Sequence, residues 1–469
     1  MFPYLFAMLG VLLAGTLASL PFGKRISRGI AVAATLAVLV MAALMLAIAL
    51  GSSSSFYESL PYIRTFGVSF SLQAGMVQLA LIIMASIVAF AAVIGGNVES
   101  ENAKASNALV MLFELAAIGL FSSANFFLFY VFWDIGVIAG FFMIYSLGGA
   151  MRRVAANAYL VYSIFASAML LLGILLIYFY TPVHTFSISG IEAAAGSIPI
   201  ALQELIFLSM FIAFIVKIPV FPLHSWMPNA YAGASTQGSM LLSSVLSKFG
   251  AYGMLVLFSM LPIASKVSEY AFALAAISAF YAAFAAMHQS DIKRMIGYTS
   301  MLEGSIILAG ISALNYFGTY GSAYLMLAHG LAVALLFLAA GSIQKLFGST
   351  DMRALRGIVK NAGSTAYTFL LGVLSSTGMP LTATFIADVL IFIGTISAFG
   401  VLGIVPLLSI ILMGAYMYYA VRRSFLSTAT FTQSRWHVGV PQNVAYAILI
   451  ASIFLFGIMP MLLLQLVKI

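Results

Sequence analysis

The 469-residue sequence contains no cysteine, and only 7% of its residues are charged. The lack of cysteine excludes disulfides and cysteine-ligated iron–sulfur clusters. No phosphate-binding glycine loop, dinucleotide fingerprint or metal-type His/Glu spacing occurs, so we expect no cofactor and no metal. Hydrophobic residues make up 63% of the chain, whereas soluble domains are typically about a quarter charged. This composition predicts an all-α polytopic membrane protein.

Apolar runs long enough to cross about 30 Å of hydrocarbon recur along the whole chain. We predict fourteen transmembrane helices, at 2–21, 29–50, 73–95, 106–123, 125–149, 157–180, 203–228, 236–262, 269–288, 295–313, 318–344, 366–397, 404–422 and 443–466. The first run lacks a basic segment before it and a small-residue cleavage site. We therefore expect a retained span rather than a signal peptide.

The net charge of +8 comes from basic residues in short loops, where they set membrane orientation and do not indicate nucleic acid. With fourteen spans, fifteen basic residues fall on one side: Lys24, Arg25, Arg28, Lys104, Arg152, Arg153, Lys293, Arg294, Lys345, Arg353, Arg356, Lys360, Arg422, Arg423 and Arg435. Three fall on the other side, Arg64, Lys266 and Lys468. This bias predicts a cell-membrane protein with the basic loops in the cytoplasm and both termini outside.

Two of the predicted spans are interrupted in similar ways. Pro219 and Pro222 break the seventh, and Gly378 and Pro380 break the twelfth. Broken helices are tolerated at membrane depth only where the freed backbone is buried in protein or lines a wet cavity. The spacing of five spans predicts two five-helix units of opposite topology, at 106–262 and 269–422. Three helices (1–105) would precede them and one C-terminal helix (443–469) would follow.

Ionisable side chains also occur within the apolar runs. The mid-span candidates are Asp134, Lys217, Lys248, His329 and Asp388, and the secondary candidates are Glu114, His224 and Glu303. A charge at the bilayer centre costs about 2.5–3.5 kcal/mol on insertion scales, so such residues usually face a partner or water. Lysine, carboxylate and histidine side chains together are suited to proton transfer. The alternative is a locally paired or snorkelling residue near a helix end. It fits Glu204, and it also covers Glu303, which lies a few residues into its predicted span.

The segment KIPVFPLHSWMPNAYAGASTQGS, which begins at Lys217, resembles the core signature of a family of antiporter-like membrane subunits. Respiratory complex I, Mrp-type Na⁺/H⁺ antiporters and membrane-bound hydrogenases share this family. Four further segments are similar to its motifs: FLFYVFWDIGV (127–137), DIKRMIGYTS (291–300), AHGLAVALLFLAAGSI (328–343) and GMPLTATFIAD (378–388). The resemblance implies discontinuous helices 7 and 12 and a set of roles. Asp134 and Lys217 would form an inlet switch, Lys248 and His329 a central relay, and Asp388 the outlet partner.

The sequence also departs from the family pattern. Asp134 and Asp388 are one methylene shorter than the usual glutamates. Val333 stands where many members carry a lysine, Ser235 where the loop usually has proline, and Glu303 where a neutral polar residue or histidine is common. The sequence stops soon after the last predicted span, so we expect no long lateral helix of the kind that some members carry there. These departures are consistent with an altered ion preference or with a channel kept only as a coupling element.

The resemblance implies a proton- or cation-translocating subunit of a multi-subunit redox-driven complex. The catalytic centres would lie on other membrane and peripheral subunits, and H⁺, Na⁺ or both would be the transported ions. Carboxylates alone serve either ion, whereas the lysines indicate protons in at least part of the route. Two alternatives stay open. One is a subunit of an Mrp-type antiporter without redox chemistry, and the other is a structural or quinone-site-forming subunit that moves no ions.

Overall fold

The structure is a computed structural model, and it describes residues 2–52, 55–63, 68–96, 101–428 and 437–464. Three basic residues of the orientation argument, Arg64, Arg435 and Lys468, lie outside the described residues. The N-terminal part contains α1 (Tyr4–Ser19), α2 (Lys24–Ser52), β1 (Phe56–Ile63), β2 (Val68–Ala74) and α3 (Met76–Gly95). Next come α4 (Ala103–Ser122), α5 (Phe126–Tyr145), α6 (Arg152–Tyr180), α7 (Ile188–Ala194), α8 (Ile200–Lys217) and α9 (Met227–Gly233).

The second half begins with α10 (Thr236–Leu241), a π-helical turn (Leu242–Leu246) and α11 (Ser247–Met260), which form one continuous helix. It continues with α12 (Ala264–Met287), α13 (Ile292–Ser312), α14 (Tyr316–Phe347), α15 (Ile358–Asn361), α16 (Gly363–Ser376) and α17 (Ala383–Phe399). The chain ends with α18 (Val405–Ser424), α19 (Val440–Ile458) and α20 (Met461–Leu464).

The predicted polytopic helical architecture is confirmed. In the described part of the chain, twelve helical stretches are long and apolar enough to cross a membrane. One of them, Ala383–Ser424, contains both α17 and α18, and α1 is a shorter apolar helix. Each of the fourteen predicted spans thus corresponds to a helix or to a broken pair of helices. The last predicted span covers α19 and the short α20, and its last two residues lie outside the described residues.

Both predicted helix breaks are present. In the seventh span, α8 ends at Lys217 and α9 begins at Met227. The indole N–H of Trp226 donates to the Val216 carbonyl (2.9 Å), so an acceptor at the end of α8 stays satisfied although the helix stops. In the twelfth span, α16 ends at Ser376, and Gly378 then adopts a left-handed conformation (φ 71°) that glycine tolerates best.

The core of the bundle is a column of helices shielded from lipid by the others. α14 is buried without interruption from Gly321 to Ile343, and the α10–α11 helix and α13 are almost as buried in their apolar parts. The outer helices expose large apolar side chains instead, such as Phe179 on α6 and Phe284 on α12. The most protected helices are therefore α11, α13 and α14, and these carry Lys248, Glu303 and His329.

A β-hairpin is among the elements that the sequence did not predict, together with the short helices α7 and α15 and the π-helical turn. β1 and β2 pair antiparallel, with Phe56 opposite Ala74. The carboxylate of Glu58 on β1 accepts hydrogen bonds from the backbone N–H groups of Leu5 (2.9 Å) and Phe6 (2.8 Å). These groups belong to the first turn of α1, where N–H groups have no partner within the helix. The hairpin therefore caps the first span.

Candidate functional site

Lys217 is the last residue of α8 and is fully buried. Its ammonium group donates to the Ser163 hydroxyl of α6 at 3.0 Å. It also lies 5.3 Å from the ring centroid of Trp133 and 5.2 Å from that of Tyr159. Aromatic faces attract a cation at this range, so the site holds the lysine without placing an anion in direct contact with it.

Asp134 lies on α5 close to this lysine but does not touch it. Its carboxylate accepts a hydrogen bond from the Ser167 hydroxyl at 2.7 Å, and that hydroxyl accepts one from the indole of Trp133 at 3.1 Å. Ser163 and Ser167 are one helical turn apart on α6, so they hold Lys217 and Asp134 on adjacent turns. The carboxylate is near enough to attract the ammonium group electrostatically, although within the described residues the two form no ion pair. The structure thus brings the predicted inlet residues together, with a gap between them.

Lys248 is almost fully buried, with 2% of its surface exposed, and follows the π-helical turn by two residues. Its ammonium group donates to the Ser243 carbonyl (3.2 Å) and to the Ser247 hydroxyl (3.0 Å). A π-helical turn displaces the regular backbone hydrogen bonds, and such turns are frequent at functional sites. Here the turn provides an acceptor for a lysine in the bundle core.

A chain of hydrogen bonds leads from this lysine site to an acidic residue. The Ser243 hydroxyl donates to the Ser300 hydroxyl at 3.0 Å, and Ser300 lies 2.9 Å from Nε2 of His329. Nδ1 of the same histidine lies 2.9 Å from a carboxylate oxygen of Glu303. With the hydrogen on Nδ1, Nε2 accepts from Ser300, and every hydrogen of the chain points toward Glu303. Such an arrangement is pre-oriented to pass a proton in that direction.

Glu303 corrects one expectation from the sequence. We interpreted it as a residue near a helix end, but α13 begins at Ile292 and ends at Ser312, so Glu303 lies near its middle. It is 3% exposed and pairs directly with His329. It is also near enough to attract Lys248 and to repel Asp388 electrostatically. The residue that we ranked as secondary therefore lies at the centre of the site.

Asp388 lies on α17, just beyond the break of the twelfth span, and is half-buried. One carboxylate oxygen would lie 2.9 Å from a Cβ atom placed on Gly378. A side chain at position 378 would therefore press on the carboxylate, and glycine leaves room for it. The link between Asp388 and the hydrogen-bonded chain is the electrostatic one to Glu303.

The other two secondary candidates do not join the hydrogen-bonded chain. His224 lies between α8 and α9, 5% exposed, with its ring 4.8 Å from that of Tyr281. Its Nδ1 has no hydrogen-bond partner among the described residues. Glu114 on α4 is 1% exposed, and neither carboxylate oxygen is hydrogen-bonded within the described part of the chain.

Serine hydroxyls connect the charged groups, and the sequence did not single them out. Ser300 ends a segment that resembles a family motif, and Ser243 lies four residues after another; Ser163 and Ser167 share one face of α6. A buried hydroxyl at such a position is the signal that identifies them. For metals, the described residues contain no group of three or more His, Asp or Glu side chains placed to hold an ion.

Comparison with known proteins gives a consistent family. Residues 123–414 match the family model described as "NADH:quinone oxidoreductase/Mrp antiporter, TM". NADH-quinone oxidoreductase subunit M of Rickettsia prowazekii is 30% identical over 410 residues, which cover 86% of this chain and 83% of that protein. F(420)H(2) dehydrogenase subunit M of Methanosarcina mazei is 30% identical over 383 residues, 80% of this chain and 77% of the relative.

Solved structures share the fold at lower identity. A chain of respiratory complex I from Thermus thermophilus matches with a TM-score of 0.90 at 22% identity, covering 99% of this chain and 98% of that one. A chain of the Mrp complex from Dietzia sp. DQ12-45-1b matches with a TM-score of 0.89 at 18% identity, covering 99% and 96%. The fold alone thus does not separate redox complexes from antiporters. The matched residues and relatives show that this multi-pass membrane chain belongs to the family of NADH:quinone oxidoreductase and Mrp antiporter transmembrane subunits.

Proposed function

We propose that this chain is the antiporter-like, proton-translocating membrane subunit of a multi-subunit redox-driven complex. Its ion path would run through Asp134, Lys217, Lys248, His329 and Asp388, and we add Glu303 to it. The observation that carries this proposal is the buried chain of hydrogen bonds from the Lys248 site to Glu303. Relatives named as subunits of NADH-quinone oxidoreductase and F(420)H(2) dehydrogenase support the redox assignment.

The first step is proton uptake at Lys217. Burial favours the neutral amine, whereas a negative carboxylate favours the ammonium ion. Asp134 is half-buried, and its carboxylate is hydrogen-bonded to Ser167 rather than to the lysine. A small movement of α5 or α6 therefore changes the distance between the carboxylate and Lys217. A shorter distance makes Lys217 hold a proton, and a longer one makes it release the proton. The pair therefore works as a switch that other subunits of the complex can drive.

The second step carries the proton across the core. When Lys248 carries a proton, Glu303 as a carboxylate attracts it. Lys248 gives this proton to the Ser243 hydroxyl through water, and Ser243 passes its own hydrogen to Ser300. Ser300 passes its hydrogen to Nε2 of His329, and Nδ1 of His329 gives its hydrogen to Glu303, without any group moving far. Lys248 is then the neutral amine, and burial keeps it neutral until Glu303 is charged again.

The last step is release through Asp388. A negative Glu303 and a negative Asp388 repel each other, so the two do not readily hold charge together. Protonation of Glu303 therefore allows Asp388 to ionise by giving its proton to the next compartment. The Glu303 proton then moves to Asp388 through water, which restores both groups. The half-buried position beside the helix break offers it a way out of the core.

Several further features belong to the same proposal. We place both termini on the outside of the cell membrane, and we divide the bundle into three N-terminal helices (1–105), two inverted five-helix units (106–262 and 269–422) and a final helix (443–469). Other membrane and peripheral subunits would carry the redox centres. The cargo is H⁺, with Na⁺ as the alternative at the carboxylates. A subunit of an Mrp-type antiporter would use the same residues, and the subunits and cofactors of the purified complex distinguish the two.

The test is ion pumping by the assembled complex in sealed vesicles. Lys217→Ala and Lys248→Ala are each expected to remove most of the pumping while the complex still assembles. Lys266→Ala is the matched control, because this lysine is exposed at the end of the bundle and lies outside the path. Normal pumping by both path variants would instead identify a structural subunit that moves no ions.

A further inference from the structure

A cavity of about 520 Å³ opens on the face of the bundle opposite the basic loops. Its lining is mostly polar or small and includes Gln73, Gln78, Ser123, Glu192, Tyr252 and Ser259. These residues come from the hairpin, α3, the end of α4, α7 and the end of α11. A water molecule occupies about 30 Å³ in the liquid, so this space holds many of them. We call it the outer cavity.

The floor of the outer cavity is a hydrogen-bonded pair, Gln78 and Tyr252. The backbone N–H of Gly75 donates to the Gln78 side-chain oxygen at 3.1 Å, which fixes the orientation of the amide. The amide nitrogen then donates to the Tyr252 hydroxyl oxygen at 3.1 Å. Because that oxygen acts as the acceptor, the hydroxyl hydrogen is left to donate, and no described residue accepts it. It is therefore available to water in the cavity.

Tyr252 lies one helical turn after Lys248 on the same helix. Lys248 and Tyr252 are four residues apart in α11 and share one helical face. Side chains on a helix lean toward its N-terminus, so Tyr252 leans toward the turn that carries Lys248. An ammonium group has three N–H donors, and Lys248 uses two of them on Ser243 and Ser247. The third has no partner among the described residues.

Buried oxygens without normal hydrogen bonds lie between the α10–α11 helix and its neighbours α3 and α4. In the described part of the chain, the hydroxyls of Ser86 and Ser244 and both carboxylate oxygens of Glu114 make no hydrogen bond of normal geometry, although Ser86 faces Glu114. Ser86 is adjacent to Glu114 and two turns along α3 from Gln78. Buried polar atoms are rarely left unsatisfied, and ordered water is their usual partner when protein is not. A wet region between α3, α4 and the α10–α11 helix accounts for all four oxygens.

We propose that the outer cavity is an aqueous path by which Lys248 exchanges protons with the face opposite the basic loops, with the Tyr252 hydroxyl as its last fixed group. The hydroxyl takes up one proton on the lysine side and gives its own to cavity water, so its protonation is unchanged after each transfer. Lys248 then has two exits, one toward Glu303 and one toward the outer cavity. This inference rests on the proposed function, because the path matters only if Lys248 carries protons.

The absence of native cysteine permits a direct test of access. Val256→Cys places a thiol one turn beyond Tyr252 in the cavity wall, and Leu257→Cys is the matched control on the same helix, fully buried and outside the lining. A small, charged, membrane-impermeant methanethiosulfonate is applied to either face of oriented vesicles that contain the assembled complex. We expect Val256→Cys to react only from the face opposite the basic loops and Leu257→Cys to react from neither.

The same labelling also tests function. Attachment of the charged group is expected to remove most ion pumping by Val256→Cys relative to its own unlabelled sample. Tyr252→Phe keeps the ring packing against Phe121 and Phe129 but removes the hydroxyl, and we expect a similar loss. Tyr446→Phe is the control, because this buried hydroxyl bonds to Ser342 near the opposite face.

The outcomes separate the two proposals. If Lys217→Ala and Lys248→Ala both pump normally, the proposed function fails and this inference fails with it. Normal pumping by Lys248→Ala alone overturns only the inference. If Lys248→Ala loses pumping while Val256→Cys resists the reagent from the outer face, only the inference is overturned. Normal pumping by both labelled Val256→Cys and Tyr252→Phe would also overturn it, since the cavity would then be a groove that carries no protons.

Discussion

Ser300→Ala is the most informative single substitution, because this one hydroxyl links the two ends of the central chain. It bonds to Ser243 at 3.0 Å and to His329 at 2.9 Å, and it is almost fully buried. Alanine removes both bonds and leaves two buried polar groups unpaired. Leaving such a group unsatisfied costs about 1–3 kcal/mol, so we expect the free energy of unfolding to fall by that order. The space released is that of one oxygen atom, at the lower limit for a replacement water.

The functional effect should be larger than the loss of stability. Without the hydroxyl, a proton at Ser243 has no acceptor on the way to His329, so pumping should fall to a small fraction of normal. Ser305→Ala is the matched control, because Ser305 is also fully buried on α13 and donates to Ser278 at 2.8 Å, outside the chain. We expect it to lower stability by a similar amount and to leave pumping unchanged.

The assay measures the ions moved per electron transferred by the whole complex in sealed vesicles, with thermal unfolding recorded in parallel. This ratio separates a blocked path from a smaller amount of assembled complex. If Ser300→Ala and Ser305→Ala gave the same ratio, the hydrogen bonds through Ser300 would be structural only. The claim that this hydrogen-bonded chain carries protons would then be refuted.

Substitutions at three other positions test separate parts of the account. Ser167→Ala frees the carboxylate of Asp134 and should reduce the ions moved per electron; an unchanged ratio would contradict the inlet switch. Asp388→Asn should abolish pumping in vesicles, and Asp388→Glu should retain it. Equal loss of pumping in both variants would mean that the shorter aspartate side chain is essential. Gly253→Ala would place a methyl group 2.4 Å from the Phe214 ring. We therefore expect the free energy of unfolding to fall by about 1–3 kcal/mol. An unchanged midpoint of thermal unfolding would disprove the tight contact.

The sequence predicted the spans and both breaks because each has a strong local cause. Long apolar runs define the helices, and Pro219, Pro222 and Pro380 interrupt them through the missing N–H and the rigid ring. The π-helical turn before Lys248 has no such cause, since its residues suit an ordinary helix. The hairpin was also missed, because its short strands lie in a polar loop and gain stability from capping α1 through Glu58.

The candidate site was only partly readable from the sequence. A lysine or aspartate in an apolar run is conspicuous, whereas a serine is not, so Ser243 and Ser300 passed unnoticed. Glu303 was misjudged because the sequence does not show that its carboxylate meets His329 in the core of the bundle. Pairing with His329 depends on how α13 and α14 pack, and a single sequence contains no direct information on that packing.

The central claim is that the charged groups form one continuous hydrated path across the bundle. Water connects the groups wherever the protein's own hydrogen bonds stop. The direct measurement is an experimental structure of the assembled complex at a resolution that shows ordered water. The account predicts water between Lys217 and Lys248 and between Glu303 and Asp388, joining the groups into a continuous row. Apolar side chains packed without water at either place would contradict it.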